Sequence, residues 1–116
     1  MVVHKLSDTE VDRIFQALAD ATRRDIVSRT LTREQSVSAL AQHYAMSFAA
    51  VQKHVAVLER AMLITKERRG REQIVYGNVE SLRRAAHLLG AFEKIWHDRA
   101  IRIGELLADP QNGEEQ

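Results

Sequence analysis

The sequence predicts a mainly α fold with one small β-hairpin, in which a helix-turn-helix leads into the hairpin and the chain closes with a long helix. Three features carry that prediction. Apolar residues recur at helical spacing in separate segments up to Met62. The period then shortens to two on either side of Arg69-Gly70-Arg71-Glu72. Helical spacing returns at Glu80 and holds until Asp109-Pro110.

Val11, Ile14, Phe15 and Leu18 mark one face of a first helix over about 8–19, with Ser7 or Asp8 placed to cap it. Asp20 caps a second helix through Ile26 and Val27 that fades near Thr30, ahead of the polar stretch Thr32–Ser36. Ser36 opens a third helix along Val37, Leu40, Ala41 and Tyr44, and the short link Ala45-Met46 leads to Ser47, the cap of a fourth. A short helix, a tight link and a longer helix make the sequence form of a helix-turn-helix. Ile64–Arg68 and Gln73–Tyr76 read as the two strands of a hairpin with a basic tip.

The last helix carries Leu82, Ala85, Leu89, Phe92, Trp96, Ala100, Ile103 and Leu107 along one stripe, and at 1.5 Å per residue it is about 40 Å long. So long a stripe exceeds what the rest of a small domain can cover, and a second copy of the same stripe covers it most simply. A homodimer is therefore expected, with Val11 and Phe15 of the first helix and Leu89, Phe92, Trp96, Ile103 and Leu107 of the last as its dimerisation residues. Gly90 and Gly104 inside that helix mark a bend or a close helix approach.

With 116 residues, 45% of them hydrophobic, 28% charged and a single proline, the chain fits one helix-rich globular domain. The expected boundaries are 1–110 for the folded domain and 111–116 for a disordered acidic tail. Seventeen Lys and Arg against 16 Asp and Glu leave the chain nearly neutral, so the distribution of charge matters more than its sum. Lys66, Arg68, Arg69 and Arg71 crowd one segment, whereas Glu105–Gln116 has acids and no Lys or Arg. The absence of cysteine removes disulfides, thiolate metal sites and cysteine nucleophiles. With no leader-like or membrane-length apolar run, a cytoplasmic location without membrane association is expected.

In "MSFAAVQKHVAVLERA", Val51, Val55 and Leu58 form an inner column and Gln52, Lys53 and Arg60 stand opposite. In isolation that triad reads as a solvated helix face. Followed directly by a cationic hairpin, it gains a second meaning, because a helix in the major groove needs an anchored inner face, a free outer face and flanking backbone contacts. Gln52 has the two-pronged hydrogen bonding that suits adenine, Lys53 can donate to guanine or phosphate, and Ser47, Ala49 and Ala50 are small enough for close approach. Phe48 either touches a thymine methyl or, the preferred reading, folds back on the preceding helix. His54 faces a phosphate or packs at a helix crossing. Arg68, Arg69 and Arg71 suit phosphate contacts, or else the charged edge that protects a strand from pairing with other chains. Arg23 and Arg24 reach DNA or the acidic tail, or are simply solvated.

The blocks "ALADATRRDIV", "VSALAQHYAMSFAAVQKHVAVLERAMLI" and "RRGREQIVYG", in that order over about residues 12–77, resemble the signatures of the ArsR-type winged helix-turn-helix transcriptional regulators. The resemblance implies a winged helix-turn-helix with a long terminal dimerisation helix. It also implies a homodimer on a palindromic double-stranded DNA operator, acting as a repressor. An unidentified small-molecule effector stays open as a further partner.

The chain departs from that pattern at several positions. Ala21 stands where the family often has proline and Met62 where it often has a helix-ending glycine. Many relatives release DNA when metal binds cysteines of the third helix, but here that segment is Ala39-Leu40-Ala41-Gln42-His43. In the last helix His87 and His97 sit near the other family metal site, yet Ala85 and Ala100 occupy the positions of their partners. No metal and no cofactor are expected. A metal-responsive repressor using those histidines, or a winged-helix protein-interaction module, are the alternatives. An enzyme is not expected: the sequence lacks a phosphate loop, a G-x-S-x-G turn, an H-E-x-x-H pair and an evident acid–base set.

Overall fold

The computed structural model describes residues 6–108, so the tail expected over 111–116 lies outside the described residues. The elements in order are α1 (Asp8–Leu18), α2 (Ala21–Thr32), β1 (Gln35–Ser36), α3 (Val37–Ala41), α4 (Phe48–Arg60), β2 (Ile64–Arg69), β3 (Glu72–Gly77) and α5 (Val79–Leu107). Tertiary contacts divide the chain into two units between Ala85 and Ala86.

Each helix of the first unit begins at a side-chain cap. Ser7 and Glu10 form a reciprocal capping box on α1, with the Ser7 hydroxyl accepting from the Glu10 amide and the Glu10 carboxylate accepting from the Ser7 amide. Asp20, Ser36 and Ser47 each accept the backbone N–H three residues on. Asn78 takes the same role at the start of α5, accepting from the Glu80 and Ser81 amides.

The C-terminus of α1 is closed differently. Arg23 donates from Nε to the Ala17 carbonyl at 2.7 Å and from Nη2 to the Gln16 carbonyl at 3.1 Å, and Arg24 donates to the Leu18 carbonyl at 2.8 Å. These carbonyls belong to the last turn, where a helix end leaves them without the usual partner four residues on, and the Gln16 carbonyl also accepts the Ala19 amide at 3.2 Å. The first turn of α2 thus satisfies the last turn of α1 and sets the bend between them. Arg23 and Arg24, read in the sequence as contacts to DNA or the tail or as solvated charges, are helix-capping residues.

The sheet has the order β1-β3-β2, antiparallel throughout. β2 and β3 pair from Ile64↔Gly77 to Arg69↔Glu72, and β1 adds Gln35↔Val75 and Ser36↔Ile74. Gly70 and Arg71 form the two-residue turn, and Gly70 has a φ of 63°, as a hairpin turn with glycine at its first position requires. Gly77 is a second position that needs glycine, because an added Cβ would lie 3.2 Å from the Leu31 Cα and closer still to its side chain.

Two predicted features differ. β1 was expected to be part of a polar loop, and α3 ends at Ala41 rather than reaching Tyr44. Tyr44 is held from outside the helix: its hydroxyl donates to Asp25 Oδ2 at 2.7 Å, and Arg29 Nε donates to that same oxygen at 2.7 Å. The core gathers Ile14, Ile26, Leu40, Val51, Val55, Leu58, Leu63, Ile64 and Val75, drawing on α1 to α4 and both long strands.

Candidate nucleic-acid interface

Helix α4 is fixed along one side and open along the other. Val51, Val55 and Leu58 are fully buried, while Gln52 and Lys53 are exposed. Its C-terminus is a Schellman closure: the Leu63 amide donates to the Leu58 carbonyl at 3.0 Å and the Met62 amide to the Glu59 carbonyl at 2.9 Å. Leu58 and Leu63, both fully buried, supply the apolar contact that accompanies this motif. The left-handed residue is Met62, with a φ of 62° where glycine would be unstrained. The helix therefore stops at Arg60, and Ala61, Met62 and Leu63 lead the chain into β2 at Ile64.

Ser47 and Ala49 are exposed and Ala50 is half-buried, so the first turn of α4 presents small side chains. Phe48, expected to fold back, stays 46% exposed. His54 resolves toward the packed alternative. Its side chain is 22% exposed, lies 3.9 Å from Asp20, and its Nδ1 accepts from Arg23 Nη1 at 3.2 Å. Because a guanidinium only donates, this contact requires an unprotonated Nδ1. Asp20, in turn, has its carboxyl held below the usual range by the Arg23 amide it accepts from and by the Arg23 guanidinium.

The three arginines of the wing are not equivalent. Arg69 is committed: it forms a two-pronged pair with Glu34 and donates from Nε to Glu67 at 2.7 Å. Both carboxyls are held below their ordinary range by that guanidinium, whose own pKa is raised. Arg68 donates only to the Gly70 carbonyl at 3.3 Å, and among the described residues neither Arg68 nor Arg71 forms an ion pair. Lys66 is paired with Glu59 of α4 at 3.4 Å. The free charge of the wing thus sits at Arg68 and Arg71. Glu34 and Glu67 were not singled out in the sequence; the register that sets Glu67 two residues from Arg69 on one strand face was legible, but Glu34 reaches it only through the fold.

Of the dimerisation candidates, Val11 is half-buried and Phe15 exposed on α1. In the second unit, Leu89, Phe92, Trp96, Ile103 and Leu107 are all exposed, Phe92 at 59% and Trp96 at 61%, as are Ile95, Ile101 and Leu106. His87 and His97 are exposed on the same helix, and among the described residues no group of three or more His, Cys, Asp or Glu side chains is arranged to hold a metal. No described helix is long and apolar enough to cross a membrane.

Three helices, a helix-turn-helix formed by α3 and α4, and a hairpin wing whose central strand pairs back to β1 define a winged helix-turn-helix. No family model matches the chain. An uncharacterised HTH-type transcriptional regulator of Bacillus subtilis (strain 168), YuzN, is 37% identical over 79 residues, which cover 62% of this chain and 86% of that protein. The crystal structure of an ArsR family transcriptional regulator, RHA00566, superposes with a TM-score of 0.75 at 28% identity, covering 81% of this chain and 97% of that one. The same fold, at 21% identity and a TM-score of 0.61, occurs in a Mycobacterium bovis protein described as a homodimeric winged helix-turn-helix DNA-binding domain; 79% of this chain and 92% of that one are covered. The chain belongs to the ArsR-type winged helix-turn-helix transcriptional regulators, DNA-binding proteins and not enzymes.

Proposed function

We propose that the chain is a homodimeric repressor that sets residues 47–60 of each copy in successive major grooves of a palindromic operator. The observation that carries this reading is the division of α4: three side chains locked into the core and, one position on, Gln52 and Lys53 free in solvent. Ser47, Ala49 and Ala50 let the helix approach the base edges, Gln52 reads a base and Lys53 takes a base or a phosphate. Arg68 and Arg71 meet flanking phosphate or minor groove. Arg69 braces the wing through its two carboxylates, and His54 supports α4 from behind through Arg23.

The exposed apolar side chains of α5, and Val11 and Phe15 of α1, are the surfaces offered to a second copy, in keeping with the homodimeric state of the Mycobacterium bovis relative. An added Cβ at Gly90 or Gly104 meets nothing within 4 Å, which leaves space beside α5 for another helix. The domain is taken as 1–110, with 111–116 as a tail.

Fluorescence titration against the upstream region of the chain's own operon, with a scrambled duplex as control, tests the reading. Gln52→Ala should cost about 1–3 kcal/mol on the operator and relax the preference at one base position. An unchanged base preference removes Gln52 from base recognition, and equal binding to the scrambled duplex removes sequence-specific repression altogether.

A further inference from the structure

Within the first unit, a cavity of ≈ 60 Å³ lies among Glu10 and Arg13 of α1, Arg60 at the end of α4, Met62, and Ser81 and Arg84 of α5. Three guanidinium-bearing residues line it against one carboxylate. Glu10 already accepts the Ser7 amide at 2.8 Å in the cap of α1. Arg13 and Arg60 form no ion pair among the described residues, and the Nε of Arg84 is shut off from solvent with no hydrogen-bond partner. The nearest carboxylate to that nitrogen, Glu80, is 3.9 Å away, too far to accept from it.

A buried donor without an acceptor is costly, and structures rarely leave one unmatched. An excess of cationic side chains around a recess also concentrates anions there. At about 15 Å³ per water the cavity holds about four water-sized atoms, the size of a carboxylate or phosphate group. Guanidinium donors suit such planar or tetrahedral oxyanions through charge-assisted hydrogen bonds.

We propose that this cavity is a binding site for a small oxyanion, a carboxylate or a phosphate, held by Arg84 with Arg13 and Arg60. Its position gives the ligand a regulatory outlet. Arg60 is the last residue of α4, and the left-handed Met62 joins that helix to the wing. An anion drawing Arg60 toward Arg13 and Arg84 acts on the joint that sets the wing against the helix. This effect on DNA rests on the repressor reading; binding of the anion does not.

The test begins without DNA, on the full chain, by isothermal calorimetry and arginine Nε–Hε NMR with inorganic phosphate and, separately, acetate at constant ionic strength. The expected result is a saturable shift of the Arg84 Hε signal with one of the two anions, and calorimetric binding weakened at least tenfold in both Arg84→Gln and Arg60→Gln. The anion that saturates identifies the ligand class. Strictly linear shifts with both anions mean that water alone fills the cavity and overturn the proposal, as does saturable binding unchanged in both variants. Operator titration follows: the bound anion should alter wild-type affinity at least threefold, while Arg84→Gln binds the operator normally and does not respond. Anion binding by a chain that ignores every duplex would support the site and overturn the repressor reading instead.

Discussion

The unequal pairing of the wing arginines leads to a quantitative contrast in salt dependence. Arg71 forms no ion pair among the described residues, so its whole charge is available to displace a counterion from DNA. Each phosphate neutralised on B-form DNA contributes about 0.9 to the slope of log K against log salt, so Arg71→Ala in both copies of a dimer should make that slope shallower by about 1.8. Over a fourfold rise in salt, from 50 to 200 mM, the wild type then loses about twelvefold more affinity than the variant. Arg69→Ala is the matched control: its guanidinium is already balanced by Glu34 and Glu67, so its effect on the slope should be smaller than that of Arg71→Ala. Fluorescence anisotropy at four or five salt concentrations measures both slopes. A wild-type slope in Arg71→Ala, or a larger change in Arg69→Ala, would refute the reasoning that the unpaired arginine is the one facing phosphate.

Leu58→Ala, which empties a fully buried position under α4, should cost about 2–5 kcal/mol in urea unfolding, and a loss below about 1 kcal/mol would contradict the packing described. Met62→Gly should raise the unfolding midpoint, because it relieves a left-handed backbone worth about 1–2 kcal/mol at a side chain that is 53% exposed; a lowered midpoint refutes the assignment of strain. The carboxyl of Asp25, lowered by the Tyr44 hydroxyl and Arg29, and those of Glu34 and Glu67, lowered by Arg69, contribute stability that is present above the ordinary carboxylate range and lost as pH falls through their folded values. Tyr44 works at the other end: burial and Asp25 push its hydroxyl from 10.0 up to about 12, so its share is complete below pH 10 and drains away toward pH 12. Urea midpoints across both ranges should show the two losses, and Tyr44→Phe should remove the alkaline one; an alkaline loss unchanged in that variant assigns it elsewhere.

Caps and periodicity made most of the fold legible. Ser7, Asp20, Ser36 and Ser47 each start the helix expected of them, and Gly70 turns the expected hairpin. What stayed hidden was non-local. β1 has two residues, too few for any alternation, and exists only because Val75 and Ile74 offer it partners some forty residues further along the chain. Tyr44 fits the spacing of α3 and does pack against the core, but it lies beyond the end of that helix, with its hydroxyl donating to Asp25 of α2. The same holds at the interface. The outward stance of Gln52 and Lys53 follows from their spacing to Val51 and Val55, whereas nothing in the local sequence distinguishes Arg69 from Arg71. Their difference comes from Glu34, brought alongside by the strand order. Arg23 shows the point most directly, since residues that read as surface charge close a helix that precedes them.

The antiparallel ladder that ties β3 to β1 makes the wing a fixed gauge. β1 runs directly into α3, and α3 leads to α4, so tilting the hairpin would break hydrogen bonds at the root of the helix-turn-helix itself. The span between α4 and the wing of one copy is thereby built into the backbone. On the proposed repressor reading, new operator preferences then arise by exchanging the outward side chains of α4 while the caliper set against the duplex keeps its setting.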